Sequence, residues 1–178
     1  KLVETEQWDK LFRVVTIKKG QYTYGPQGTL HGSPYAPTEE EKDMVELGFE
    51  TNSDITYRLY DWGRNMPDRP LHVEKVIDTV NIPDNQNMGV DIVEKDVNGC
   101  KVAYFIDKPG IFTAFRIRVD ENGTFERKEF MFLFCIDGEA EINGTVIKKG
   151  ETIFIPCDYG TLTIKGKAEF GGMTYRNL

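Results

Sequence analysis

Residues 130–164 read FMFLFCIDGEAEINGTVIKKGETIFIPCDYGTLTI. The nearly continuous apolar run Phe130–Ile136 is the pattern of a strand buried on both faces. Asp137-Gly138 predicts a turn into Ala140–Ile142, and Asn143-Gly144 turns the chain again. Val146-Ile147 then leads into Lys148-Lys149-Gly150, and Thr152–Ile155 and Leu162–Ile164 complete the series. Short strands with turn signals every 8 to 12 residues or so predict a β-sandwich or barrel.

Outward from this stretch the pattern continues. Ile111–Val119 reads as a strand ending in Asp120-Glu121-Asn122-Gly123, a hairpin-type turn. Far upstream, Leu11–Ile17 and Gln21–Tyr24 read as strands around Lys18-Lys19-Gly20. Ile17-Lys18-Lys19-Gly20, five residues and Pro26 recur as Ile147-Lys148-Lys149-Gly150, five residues and Pro156, which points to a duplicated unit. Two helical segments interrupt the strands. Thr38-Glu39-Glu40-Glu41 has the form of a capping box opening a helix to about Leu47. A second helix begins near Pro70, with Leu71, Val73, Val76, Ile77 and Val80 as its apolar stripe. The polar, turn-rich stretch Asn81–Gly99 reads as a linker, dividing the chain into units 1–80 and 100–178. The expected fold is mainly β, a jelly roll with short helices inserted.

The first copy of the repeat continues Pro26-Gln27-Gly28-Thr29-Leu30-His31. The spacing Gly20-x5-Pro26-x-Gly28-x2-His31 resembles the second motif of the cupin superfamily, the double-stranded β-helix jelly rolls. Gly turns one strand into the next, Pro and the second Gly shape the bend, and His31 then becomes a candidate divalent-metal ligand. The second copy has Thr161 where the histidine would fall, and no histidine follows His72, so the second unit is expected to hold no metal.

The net charge of −7 and a pI near 5.0 argue against nucleic acid as a partner, because neutralising phosphates needs a basic surface. A small phosphorylated ligand needs only one or two local arginines. No apolar run reaches the roughly 18 residues of a membrane span. Lys1–Lys10 is too charged for a signal peptide, and a cytoplasmic location with no membrane partner is expected. The three cysteines, Cys100, Cys135 and Cys157, form no C-x-x-C pair and read as free buried thiols.

Residues 52–64, NSDITYRLYDWGR, with Pro26–His31 upstream and Arg69-Pro70-Leu71-His72 downstream, resemble the bacterial type I mannose-6-phosphate isomerases. The likeness is close over residues 17–75 and loose over the whole chain. It implies zinc-dependent aldose–ketose isomerisation of mannose 6-phosphate and fructose 6-phosphate, with a phosphorylated hexose as ligand. It also implies Arg58 as active-site arginine, with Arg64 where eukaryotic relatives carry lysine, both as catalytic candidates, and His31 as metal ligand. Members of the family carry a Gln-x-His and a Glu ligand before the point that matches Lys1. The chain is therefore expected to be a carboxyl-terminal portion, completed by an upstream segment and poorly active alone. The family's acidic residue lies six positions before the one matched to Asp54, and here that position is Gly48. Glu46 and Glu50 would share its strand face, and Asp54 would share a face with Arg58 on a regular strand, making all three acids candidate substrate-binding residues. The aromatics Tyr57, Tyr60, Trp62, Phe130, Phe132 and Phe134 could line a sugar pocket, with core packing the expected use of most of them. A non-catalytic cupin that binds a sugar or regulates a partner is the alternative reading.

Overall fold

Alternating apolar residues in the carboxyl-terminal half become strands whose inner faces share one core. A computed structural model of the chain describes residues 5, 7–18, 20–32, 46–51, 53, 55–64, 66–85, 90–108 and 110–175. The first elements are short: α1 (Trp8–Leu11), β1 (Gln21–Tyr22), α2 (Val73–Thr79) and β2 (Val90–Asp91). After them come β3 (Lys95–Val97), β4 (Cys100–Lys108), β5 (Phe112–Val119), β6 (Asn122–Phe125) and β7 (Met131–Ile142). The last three are β8 (Thr145–Lys148), β9 (Thr152–Ile155) and β10 (Leu162–Thr174).

Strands β3 to β10 form one eight-stranded antiparallel sheet, in the order β3-β4-β5-β10-β7-β8, with β6 also on β10 and β9 also on β7. The two long strands are thus shared. Along one side β10 meets first β6 and then β5, while β7 lies along the other. Strand β7 likewise pairs β9 through its first half and β8 through its second.

The predicted turn at Asp137-Gly138 is instead a bulge within a continuous β7. Phe170 is opposite Cys135 but Glu169 is opposite Asp137, which leaves Ile136 as the extra residue. This one-residue slip switches the inward parity of β7. Met131, Leu133 and Cys135 face the core before it, and Ala140 and Ile142 after it, while β10 keeps Leu162, Ile164, Ala168 and Phe170 inward throughout. Gly138 (φ +79°) lies so close to Lys167 O that a Cβ would overlap it, and a Cβ on Gly166 would come 2.7 Å from Glu139 O. The strands cross here backbone to backbone, a contact that only glycine permits. Phe115, Ile117, Val119, Cys100, Val102 and Phe125 complete the core from β5, β4 and β6.

Several expectations land differently. The stretch read as a linker contains β2, which pairs β1, and β3, which pairs β4. Leu11 closes α1, and residues 12–18 and 55–64 form no ladder among the described residues. The predicted helix Thr38–Leu47 lies almost wholly outside the described residues. Phe132 and Phe154, 46% and 52% exposed, meet with Phe130 on the outer face of β7 and β9 and not in the core. Cys100 and Cys135 are buried as expected, but Cys157 is exposed in the loop after β9. No helix among the described residues is long and apolar enough to cross a membrane.

Two outcomes follow from this packing. Gly138→Ala should destabilise the chain by about 2–4 kcal/mol in urea denaturation, from the left-handed φ and the overlap with Lys167 O together. Gly150→Ala, with similar φ (+87°) but open space around it, should cost only about 1 kcal/mol. Equal losses would contradict the backbone crossing. With a thiol reagent at neutral pH, Cys157 should label rapidly, while Cys100 and Cys135, whose thiol pKa values burial pushes up, should label only on unfolding.

Candidate functional site

Residues 58–64 and 66–72 form two successive turns around one carboxylate. Trp62 (φ 52°) and Gly63 (φ 71°) are both left-handed, and Arg64 N donates to Asp61 O at 2.9 Å, the geometry of a type I′ turn. This reversal carries the Arg64 side chain back over Asp61, where Nη2 donates to Oδ1 at 2.8 Å. A second turn, closed by Arg69 N donating to Met66 O at 3.0 Å, returns the chain to the same carboxylate. Arg69 grips it with a fork, Nε to Oδ2 at 3.1 Å and Nη2 to Oδ1 at 3.2 Å. Arg58 stands at the entrance to the turns. Its N donates to His72 Nδ1 at 3.2 Å, and its O accepts from His72 N at 2.7 Å. Arg58 Nε lies 3.9 Å from Asp61 Oδ1, and Nη1 donates to Pro70 O at 3.5 Å.

Asp61 is buried, 6% exposed, beneath three guanidinium groups. The hydrogen bonds from Arg69 hold its carboxyl below the usual aspartate value of 3.8, helped by the charges of Arg64, Arg69 and Arg58 and opposed by burial. Its favourable contribution is therefore complete above that ordinary value and is lost as pH falls through the depressed one. One negative and three positive groups leave a formal surplus of two positive charges, and Asp68 acts on Arg69 from nearby. Arg64 and Arg69, with Tyr60, Met66 and Leu71, line a pocket of about 300 Å³ beside Asp61.

The other predicted residues lie elsewhere. His31 is exposed, its Nδ1 2.9 Å from Thr29 O and its ring against Gly25. The turn before it docks on the end of α2, with Asn81 N donating to Gly28 O at 2.9 Å and Asn81 Nδ2 to Gln27 O at 3.0 Å. Glu46 is exposed, and Glu50 lines a second, mainly apolar pocket of about 310 Å³ with Phe130, Phe132, Met173 and Tyr175. Gly48 is exposed with open space where a side chain would stand. Asp54 lies outside the described residues. Asp61, Arg69 and His72 were not among the residues predicted for the site. On a regular strand Asp61 faces away from Arg58, and only the paired turns bring the two together. The signal available was Gly63 alone, a residue favoured at left-handed turn positions, since Trp62 gives no such indication.

Among the described residues no group of three or more His, Cys, Asp or Glu side chains could hold a metal ion. A catalytic zinc takes about three protein ligands, so the described residues around His31 do not fit that ion.

The carboxyl-terminal sheet, residues 104–171, matches the family model described as the mannose-6-phosphate isomerase cupin domain. The chain is 28% identical over 183 residues to mannose-6-phosphate isomerase ManA of Bacillus subtilis, covering 94% of this chain and 53% of that protein. It is 27% identical over 176 residues to the probable mannose-6-phosphate isomerase GmuF of the same organism, again covering 94% of this chain and 53% of the relative. The chain thus spans about half the length of these curated relatives. In fold it is similar to the crystal structure of the mannose 6-phosphate isomerase from Bacillus subtilis, with a TM-score of 0.58 at 23% identity over 68% of this chain and 41% of that one. The chain is similar to mannose-6-phosphate isomerases over nearly its whole length, and residues 104–171 match the model of that family's cupin domain.

Proposed function

We propose that the chain is the carboxyl-terminal part of a zinc-dependent mannose-6-phosphate isomerase that interconverts mannose 6-phosphate and fructose 6-phosphate in the cytoplasm. The observation that carries this reading is the convergence of Arg58, Arg64 and Arg69 on Asp61 beside a pocket, within a segment whose residue order resembles the family. In aldose–ketose isomerisation a base takes the proton from C2 of the aldose and returns it to C1. Negative charge develops on the oxygens of the enediol between the two transfers. Guanidinium groups held in place before the reaction stabilise such charge without reorganising. Arg58 and Arg64 are assigned that role. Asp54, Glu46 and Glu50 are assigned to the substrate, and His31 to a metal site that the described residues do not complete. Gly48, standing where the family has an acid, favours a second reading in which a non-catalytic cupin binds the sugar phosphate without turning it over.

Coupled conversion of mannose 6-phosphate by the purified chain, with and without added zinc, tests the assignment. With no positioned acid at Gly48, the rate should lie at least about 10²-fold below that of an intact isomerase assayed alongside. Mannose 6-phosphate should still shift the NMR signals of the Arg64 pocket, and Arg58→Ala should weaken that binding. Turnover equal to the intact enzyme, abolished by His31→Ala, would show that other residues complete the site. Failure of the sugar phosphate to bind at all would remove the isomerase reading.

A further inference from the structure

We infer that Asp61 is the positioning residue of this site, setting Arg58, Arg64 and Arg69 as one receptor for ligand oxyanions, for which inorganic phosphate is the probe. The inference rests on the sugar-phosphate reading above and adds to it the group that builds the receptor and a third arginine.

A carboxylate that served only to pin a loop would be satisfied by the Arg69 fork, which already engages both oxygens. Here Arg64 donates to Oδ1 as well, and Arg58 approaches the same oxygen. The three cations come from three places in the chain, one before the type I′ turn, one closing it and one closing the next turn. Three guanidinium groups gathered this closely repel one another, and a central anion offsets that repulsion. Counting Asp61 alone, the cluster retains a formal surplus of two positive charges, which Asp68 beside Arg69 reduces, and the remainder is opposite in sign to a bound oxyanion. Arg64 and Arg69 carry that surplus to the pocket wall, and the Arg64 side chain is half exposed, so solvent and ligand can reach it. Guanidinium planes fixed in this way lose little freedom when they bind phosphate oxygens.

The test separates positioning from simple charge. Asp61→Asn removes a negative charge beside three cations, so Coulomb attraction alone predicts tighter phosphate binding. A positioning role predicts the reverse, because the arginines spread apart once their common anion is gone. Titration of inorganic phosphate into the 178-residue chain, followed by calorimetry, should show binding weakened about 10-fold in Asp61→Asn and partly recovered in Asp61→Glu. Unchanged or tighter binding in Asp61→Asn would overturn the inference. If Asp61→Asn does not fold, Arg69→Lys decides. It keeps the charge but loses the fork, so binding should weaken about 5-fold, and unchanged binding again overturns the inference. A second titration with mannose 6-phosphate keeps the two readings apart. Asp61-dependent phosphate binding with no gain from the sugar would refute the isomerase reading and leave the receptor standing.

Discussion

The pairing of β7 with β10 is the constraint on which the rest of the structure depends. These two strands carry the partners of β5, β6, β8 and β9, so their mutual register sets the placement of every strand packed on them. The register changes once, at Ile136, and that slip lets β7 present Met131, Leu133 and Cys135 and then Ala140 and Ile142 to a single core. Without it the second half of β7 would turn Glu139 and Glu141 inward, at a desolvation cost. The glycines at 138 and 166 let the backbones approach closely enough for the slip to occur.

The same strand seats the upstream part of the chain. Gly171, on the outward parity of β10, has no side chain, and Leu47 and Phe49 fill that space beside Ile136. Tyr22 of β1 stacks on Phe105 of β4 at 5.2 Å, a second apolar tie to the sheet. The outer face near Phe132 and Phe154 carries the aromatics that hydrophobicity alone would place inside. Strand alternation is the reason. Once Met131, Leu133 and Ile155 point inward, their neighbours in sequence must point out.

Around Asp61 electrostatics takes over from apolar burial. A buried carboxylate is unfavourable unless charge and hydrogen bonds compensate it, and residues 58–69 supply both from within two turns. The arrangement is local in sequence, yet it is tied to the helix: His72, bonded through backbone and ring to Arg58, stands directly before α2. The far end of α2 in turn holds the Gln27–Gly28 turn through Asn81. His31 and the arginine cluster are thus connected through one short helix, although His31 does not line their pocket.

The sequence alone determined that the carboxyl-terminal half is a β structure of jelly-roll type, because period-two alternation and glycine turns follow from steric rules that act over a few residues. It also singled out Arg58 and Arg64, through a run of residues whose order resembles one family. The stretch read as a linker also carries β2 and β3, since a strand without strong apolar alternation is made by its partner's unpaired backbone groups and not by its own composition. The division of β7 at Asp137-Gly138 failed because a left-handed glycine is equally at home in a turn and in a bulge, and only the neighbouring strand chooses between them. Asp61 and Arg69 escaped notice for a related reason. Period-two reading puts Asp61 and Arg58 on opposite faces, and it took two turns in three dimensions to gather the three cations around one buried anion.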